Sequence, residues 1–145
     1  MNTDVDRHAQ DEEFARFWTQ RHLCVLATSR PDGSVHLTPV GATYEPETRT
    51  ARVITSSTSV KTRNITAAGA SARAALTQVD GRRWTTLEGT ATVTADPASV
   101  AEAERRYAER YRPPRANPRR VVIEIAVDRV MGTVQPPAAI QSLRP

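Results

Sequence analysis

Residues 72–94 read ARAALTQVDGRRWTTLEGTATVT, and the interpretation of this stretch decides the fold. Ala72 to Val79 has the apolar and β-favouring composition of a strand, Asp80-Gly81 is a two-residue hairpin signal, and Arg83 to Thr94 alternates as a long returning strand. Two strands joined by so short a turn must pair antiparallel, because a parallel crossover needs a dozen or more residues.

Working outward, Leu23 to Thr28 and Ser34 to Thr43 form a second predicted hairpin around the turn Arg30-Pro31-Asp32-Gly33. A turn over Tyr44 to Thr50 leads into a strand at Ala51 to Thr55, which Ser56 to Ser59 interrupt before a short helix containing Val60, Asn64 and Ile65. Near the N-terminus, Phe14, Phe17 and Trp18 share one face of a helix predicted over 11–21, with Asp11, Glu12 and Glu13 at its positive end. Asp96 followed by Pro97 is a capping signal, and Val100, Ala103, Tyr107, Ala108 and Tyr111 mark one face of the helix it starts, running to about residue 112. An Arg- and Pro-rich loop, Arg112 to Pro118, precedes the last strand, Val121 to Val127, continuing towards Val134. Six strands with local antiparallel pairing and inserted helices predict a mainly β fold, a closed or partly closed barrel, and not a doubly wound sheet.

A chain of 145 residues suits one domain, expected over 11–134, with a disordered tail at 1–10 and a Pro-rich tail at 135–145. The single cysteine, Cys24, excludes an intrachain disulfide and a cysteine metal cluster, which with no apolar leader and no span of roughly 18 uncharged residues predicts a cytoplasmic protein away from membranes. The net charge of +4 rests almost wholly on arginine, Lys61 being the only lysine. GC-rich coding favours arginine over lysine without any functional cause, yet guanidinium forks suit carboxylates and phosphates whatever their origin.

No Gly-rich phosphate loop, nucleophile elbow or metal-spaced histidine pair is present, and His8, His22 and His36 are scattered. No metal site and no catalytic side chain are expected; chemistry, if any, must come from a bound cofactor that the chain orients. Thr55 to Asn64 (TSSTSVKTRN) is the most informative candidate: hydroxyls, Lys61 and Arg63 gather where a strand ends and a helix begins, a setting that welcomes an anion. A polar loop with a capping serine explains the same residues. Arg105, Arg106, Arg110, Arg112, Arg115, Arg119 and Arg120 form a second cluster, readable as a solvated helix face balanced by Glu102, Glu104 and Glu109 or as an anion clamp. Trp84 is either core or the wall of a ring-binding site.

The segments Val25 to Ser34, Ser59 to Asn64 and Leu87 to Ala91 resemble the split β-barrel family of pyridoxamine-phosphate-oxidase-like flavin and deazaflavin oxidoreductases, the likeness spanning about residues 12–134. Ala51 to Thr55, Gln78 to Trp84, Arg106 to Arg112 and Asn117 to Glu124 are most similar to its actinobacterial B-type F420-dependent branch, which includes biliverdin reductases. The resemblance implies an antiparallel Greek-key split barrel of the FMN-binding type and a homodimer with cofactor grooves between barrels. It implies hydride transfer from reduced coenzyme F420 to a conjugated anionic small molecule, biliverdin first. Thr55, Ser57, Ser59, Lys61, Arg63 and Asn64 would hold the cofactor's phosphate-bearing tail, Pro39, Val40, Gln78 and Trp84 would complete the cofactor set, and Arg110, Arg112 and Arg115 would meet its acidic tail or the substrate. The alternatives are an FMN-dependent pyridoxamine-phosphate-oxidase-like enzyme and a non-catalytic flavin or tetrapyrrole carrier. Nucleic-acid binding is not expected, since no aromatic platform or recognition helix accompanies the arginines.

Overall fold

The computed structural model describes residues 3–136, with side chains from residue 10 onward, so His8's side chain and the expected tail from 137 lie outside the described residues. The elements are α1 (Thr3–Thr19), β1 (Cys24–Ser29), β2 (Val35–Val40), β3 (Ala42–Glu45), β4 (Thr50–Ser56), α2 (Val60–Ala68), β5 (Arg73–Asp80), β6 (Arg83–Thr94), α3 (Pro97–Arg110) and β7 (Arg120–Gly132), with a single 3₁₀ turn at Gly69–Ser71. All seven strands pair antiparallel in the order β2-β1-β5-β6-β7-β4-β3.

That order carries the architecture. The two edge strands, β2 and β3, are consecutive in sequence and joined by Gly41 alone. One residue reaches from one edge of the sheet to the other only if the sheet curls until its edges meet, so the chain is a mainly β barrel with inserted helices. The predicted single strand from Ser34 to Thr43 is therefore two, and the strands number seven instead of six. At the break a Cβ on Gly41 would lie 2.7 Å from the Tyr107 ring of α3, so a larger residue there would have to push that ring aside.

The central hairpin forms as its sequence dictates, with Gly81 at φ +63° in the turn and Val79 facing Trp84 across the pair. Near its middle, β6 bulges against β7 at Glu88/Gly89, where a Cβ on Gly89 would fall 2.0 Å from the Ala126 carbonyl oxygen. Leu26, Leu76, Leu87, Val53, Ile123 and Ile125 fill the barrel, each fully buried. Burial of each such side chain contributes about 1.5–3 kcal/mol. Phe14, Phe17 and Trp18 of α1 close the core, as their spacing predicts. The helix starts eight residues before its predicted position, so residues 3–10 are helical and correct the expected tail; no glycine or proline occurs in 3–19 to stop it.

Asp96 caps α3 by accepting from Ser99 N at 3.0 Å, with Pro97 in its first turn. Its other end is fixed by Arg110, which is buried. Nε donates to Gln20 O at 2.9 Å, Nη1 to Ala42 O at 2.6 Å, and Nη2 to Gln78 Oε1 at 2.6 Å and, more weakly, Phe17 O at 3.4 Å. Phe17 and Gln20 present the carbonyls at the negative end of α1, so the helix dipole offsets the buried charge. The guanidinium also lies over the Trp18 ring, 5.1 Å from its centroid. Arg110→Met keeps the volume but removes the donor to Gln20 O and the charged donor to Ala42 O and Gln78 Oε1, while Phe17 O keeps Gln78 Nε2 and Ala42 O the Tyr111 hydroxyl; urea unfolding is expected to show a loss of about 3 kcal/mol or more, and a loss within experimental error would show that the knot does not hold the fold.

Candidate functional site

Lys61 of α2, the end of β2 (Pro39 and Val40), Ile54 of β4, Tyr107 of α3 and the loop Arg112–Asn117 surround a groove of about 410 Å³. Arg120 completes the lining, which includes four cations and no carboxylate. Among the described residues, no carboxylate pairs with Lys61, Arg112 or Arg115. Arg120 has a supporting role: Nη2 donates to Arg115 O, while Nε lies 3.4 Å from Glu104 Oε2 without hydrogen-bonding geometry. Lys61 is half-buried, and that burial holds its ammonium below the ordinary lysine range.

Local chemistry explains why the groove's walls stay in register. Ser59 caps α2, its Oγ accepting from Thr62 N at 3.3 Å; Thr55 Oγ1 donates to Ser59 Oγ at 3.1 Å, and Thr62 Oγ1 to Ser56 O at 2.9 Å. The loop is laced to this corner by Asn117 Nδ2 donating to Ser56 Oγ at 2.8 Å and by Ser57 N donating to Arg119 O at 2.9 Å. On the other side, Tyr111 accepts from Ala42 N at 3.1 Å, and its hydroxyl lies 2.7 Å from His22 O and 2.9 Å from Ala42 O. Since Arg112 follows directly, the anchored end of α3 sets where the loop's arginines go.

Pro39, Val40, Lys61, Arg112 and Arg115 of the expected set meet at the groove. Several others do not. Gln78 is buried, its Nε2 donating to Phe17 O at 3.1 Å and its Oε1 accepting from Arg110, so both residues, expected at the ligand, instead form the interior knot. Their polar groups are already satisfied there, and neither lines the groove at Lys61. Asn64 is buried against β1, donating to Thr28 Oγ1 at 3.0 Å, and lines a separate cavity of about 360 Å³. Thr55 and Ser59 shape the corner, while Ser57 and Arg63 are exposed and do not line the groove. Trp84 is part-exposed on the outer face of β6 and lines no part of it.

Sequence reasoning missed Gly41, Ile54 and Tyr107 as groove residues. Tyr107 carried a signal, since it belongs to the helix face immediately before the arginine loop; Ile54 gave none beyond strand alternation. The α3 cluster divides: Arg105 and Arg106 pair with Glu102, Glu109 and Glu45, a solvated ionic face, whereas Arg112 and Arg115 remain for the groove.

Residues 10–133 match the pyridoxamine 5'-phosphate oxidase family model. The chain belongs to the pyridoxamine 5'-phosphate oxidase family. Within it, the chain is 52% identical over 117 residues to an F420H(2)-dependent biliverdin reductase of Mycobacterium tuberculosis, covering 81% of this chain and 83% of that one. Among solved structures of this fold, a conserved hypothetical protein of the same organism matches with TM-score 0.70 at 24% identity, covering 83% of this chain and 81% of the other. An F420 reductase matches with TM-score 0.65 at 22% identity, covering 80% and 94%. The family resemblance and the split-barrel fold read from the sequence are thereby borne out.

Proposed function

We propose that this chain is a coenzyme F420-dependent reductase that passes a hydride from the reduced cofactor to a conjugated anionic substrate, biliverdin being the favoured one. The observation that carries this reading is the groove itself, with cations and no carboxylate, in a chain 52% identical to an F420H(2)-dependent biliverdin reductase. Lys61 and the first-turn amides of α2 would hold the cofactor's phosphate. Pro39, Val40, Ile54 and Tyr107 supply flat, apolar wall for its ring. Arg112 and Arg115 extend from the loop to carboxylates on the cofactor tail or the substrate.

Bound coenzyme F420 supplies the hydride. The chain's own work is to bind, orient and exclude water, because no carboxylate, histidine or thiol lines the groove to act as acid, base or nucleophile. FMN has the same kind of phosphate and meets the same cations; the relative's stated cofactor favours F420.

The outer face of the sheet bears on assembly. Val35 and Leu37 of β2, Val79 of β5 and Trp84 of β6 project on the side opposite the core, with Leu37 64% and Val79 65% exposed. Exposed apolar side chains on one sheet face support an interaction surface there, and a second copy of the chain is the proposed occupant. Trp84 stands on that face, so any ring contact it makes would be across the interface.

With biliverdin and reduced F420, catalytic amounts of the protein are expected to give many turnovers, followed by loss of the deazaflavin's reduced state; no turnover with either would overturn the reductase reading. Lys61→Ala should weaken F420 binding by roughly ten-fold or more in a fluorescence titration, the equivalent of one charge-assisted hydrogen bond, and an unchanged affinity would remove Lys61 from the site. Val79→Glu places a charge on the outer face at an exposed position that the monomer tolerates. Sedimentation should then give the mass of one chain where the parent gives two; a parent that already sediments as one chain refutes the dimer.

A further inference from the structure

The chain has one lysine, and its position is chemically unusual. Lys61 is half-buried in a groove whose nearby walls include Pro39, Val40 and Ile54, and the other charged groups lining it are Arg112, Arg115 and Arg120. An ammonium is stabilised by water or by a carboxylate, and here half-burial removes part of the first while the groove's lining supplies none of the second. Burial without a carboxylate partner shifts the balance from the ammonium towards the free amine, holding Lys61 below the ordinary lysine range. A free amine beside guanidinium groups that need anions is the arrangement that captures an anionic carbonyl compound.

We propose that Lys61 is a covalent acceptor site for aldehydes that carry a phosphate or carboxylate, with Arg112 and Arg115 holding the anionic group. The Nζ lone pair attacks the aldehyde carbon, the carbinolamine loses water, and a C=N bond joins the ligand to Lys61. No oxidant or reductant is needed, and hydrolysis reverses the step. A neutral imine also removes the cost of keeping an ammonium in a partly dry wall. The groove's 410 Å³ falls within the range of small-molecule pockets, about 300–1,000 Å³. A phosphorylated aldehyde would thus fill the same groove as an anionic redox cofactor and block it reversibly. The proposal does not depend on that cofactor's identity, since capture requires only the amine and the guanidinium groups.

The test uses the unaltered chain with pyridoxal 5'-phosphate as probe, borohydride to fix the imine as a secondary amine, and peptide mass spectrometry to locate it. Labelling is expected at Lys61, roughly ten-fold faster than with unphosphorylated pyridoxal, with the rate rising through a midpoint at lower pH than for an ordinary lysine. Inorganic phosphate should slow it, and the double variant Arg112→Ala/Arg115→Ala should bring the phosphorylated probe down to the rate of pyridoxal. Lys61→Arg keeps the charge and should abolish the label at that position while leaving the far-ultraviolet circular dichroism unchanged. Labelling confined to the amino terminus, or equal rates for the two probes, would overturn the proposal, and because both are read on the unaltered chain they decide it even where a variant misfolds. Failure of F420-dependent turnover leaves these outcomes unaffected, so the two readings stand or fall separately.

Discussion

The guanidinium of Arg110 organises the molecule. It joins the end of α1, the start of β3 and Gln78 of β5, contacts far apart in sequence that close around one side chain. A buried charge without a carboxylate is costly, and what offsets it is a cage of oxygens already oriented by a helix end and a strand. From that fixed point the rest follows. Tyr111 ties β3 and the His22 carbonyl to the same helix end, Tyr107 packs over Gly41 where the barrel's edges meet, and the next residues have only one way to go, across the mouth of the barrel towards Ser56 and α2.

The groove therefore arises from a sorting of arginines. Those on the outer turns of α3 meet acids, Arg106 bridging Glu45 and Glu102 and Arg105 bridging Glu102 and Glu109, while Arg52 of β4 links Glu45 towards Glu124. Hydrogen bonds from Arg105 and then Arg106 push Glu102's carboxyl down to about 2. Those arginines are electrically complete. Arg112 and Arg115 lie beyond the helix, among prolines, with no acid in the lining of the groove. Proline matters there because its ring fixes the backbone of the loop that carries both arginines.

Much of the fold was legible because local rules and tertiary packing agree. The spacing of Phe14, Phe17 and Trp18, the Asp96-Pro97 cap and the Asp80-Gly81 turn are signals read by immediate neighbours, and each appears where expected. The break at Gly41 was not legible, because Val40-Gly41-Ala42-Thr43 reads as continuous strand and the ring packed against the glycine is that of Tyr107, 66 residues away. The same holds for the site. Lys61 stood out as the lone lysine after a capping serine, but nothing local separates Arg110 from Arg112; whether a guanidinium faces the interior or the groove is settled by two residues at the end of a helix. Gln78 and Asn64, expected at the cofactor, lie away from the groove at Lys61 for a related reason, since a polar residue on a strand or helix looks alike whether it meets a ligand or completes a buried network.

The central claim is that the groove at Lys61 takes an anion, and the ε-methylene of the one lysine is a unique reporter of it. Its carbon resonance, followed against pH by nuclear magnetic resonance, measures the ammonium's titration directly. In the free protein the midpoint should fall below that of an ordinary lysine, because burial disfavours the charged form; with coenzyme F420 at saturation it should move upward, because a bound phosphate favours it. A midpoint that stays where it was when F420 is added would contradict the account.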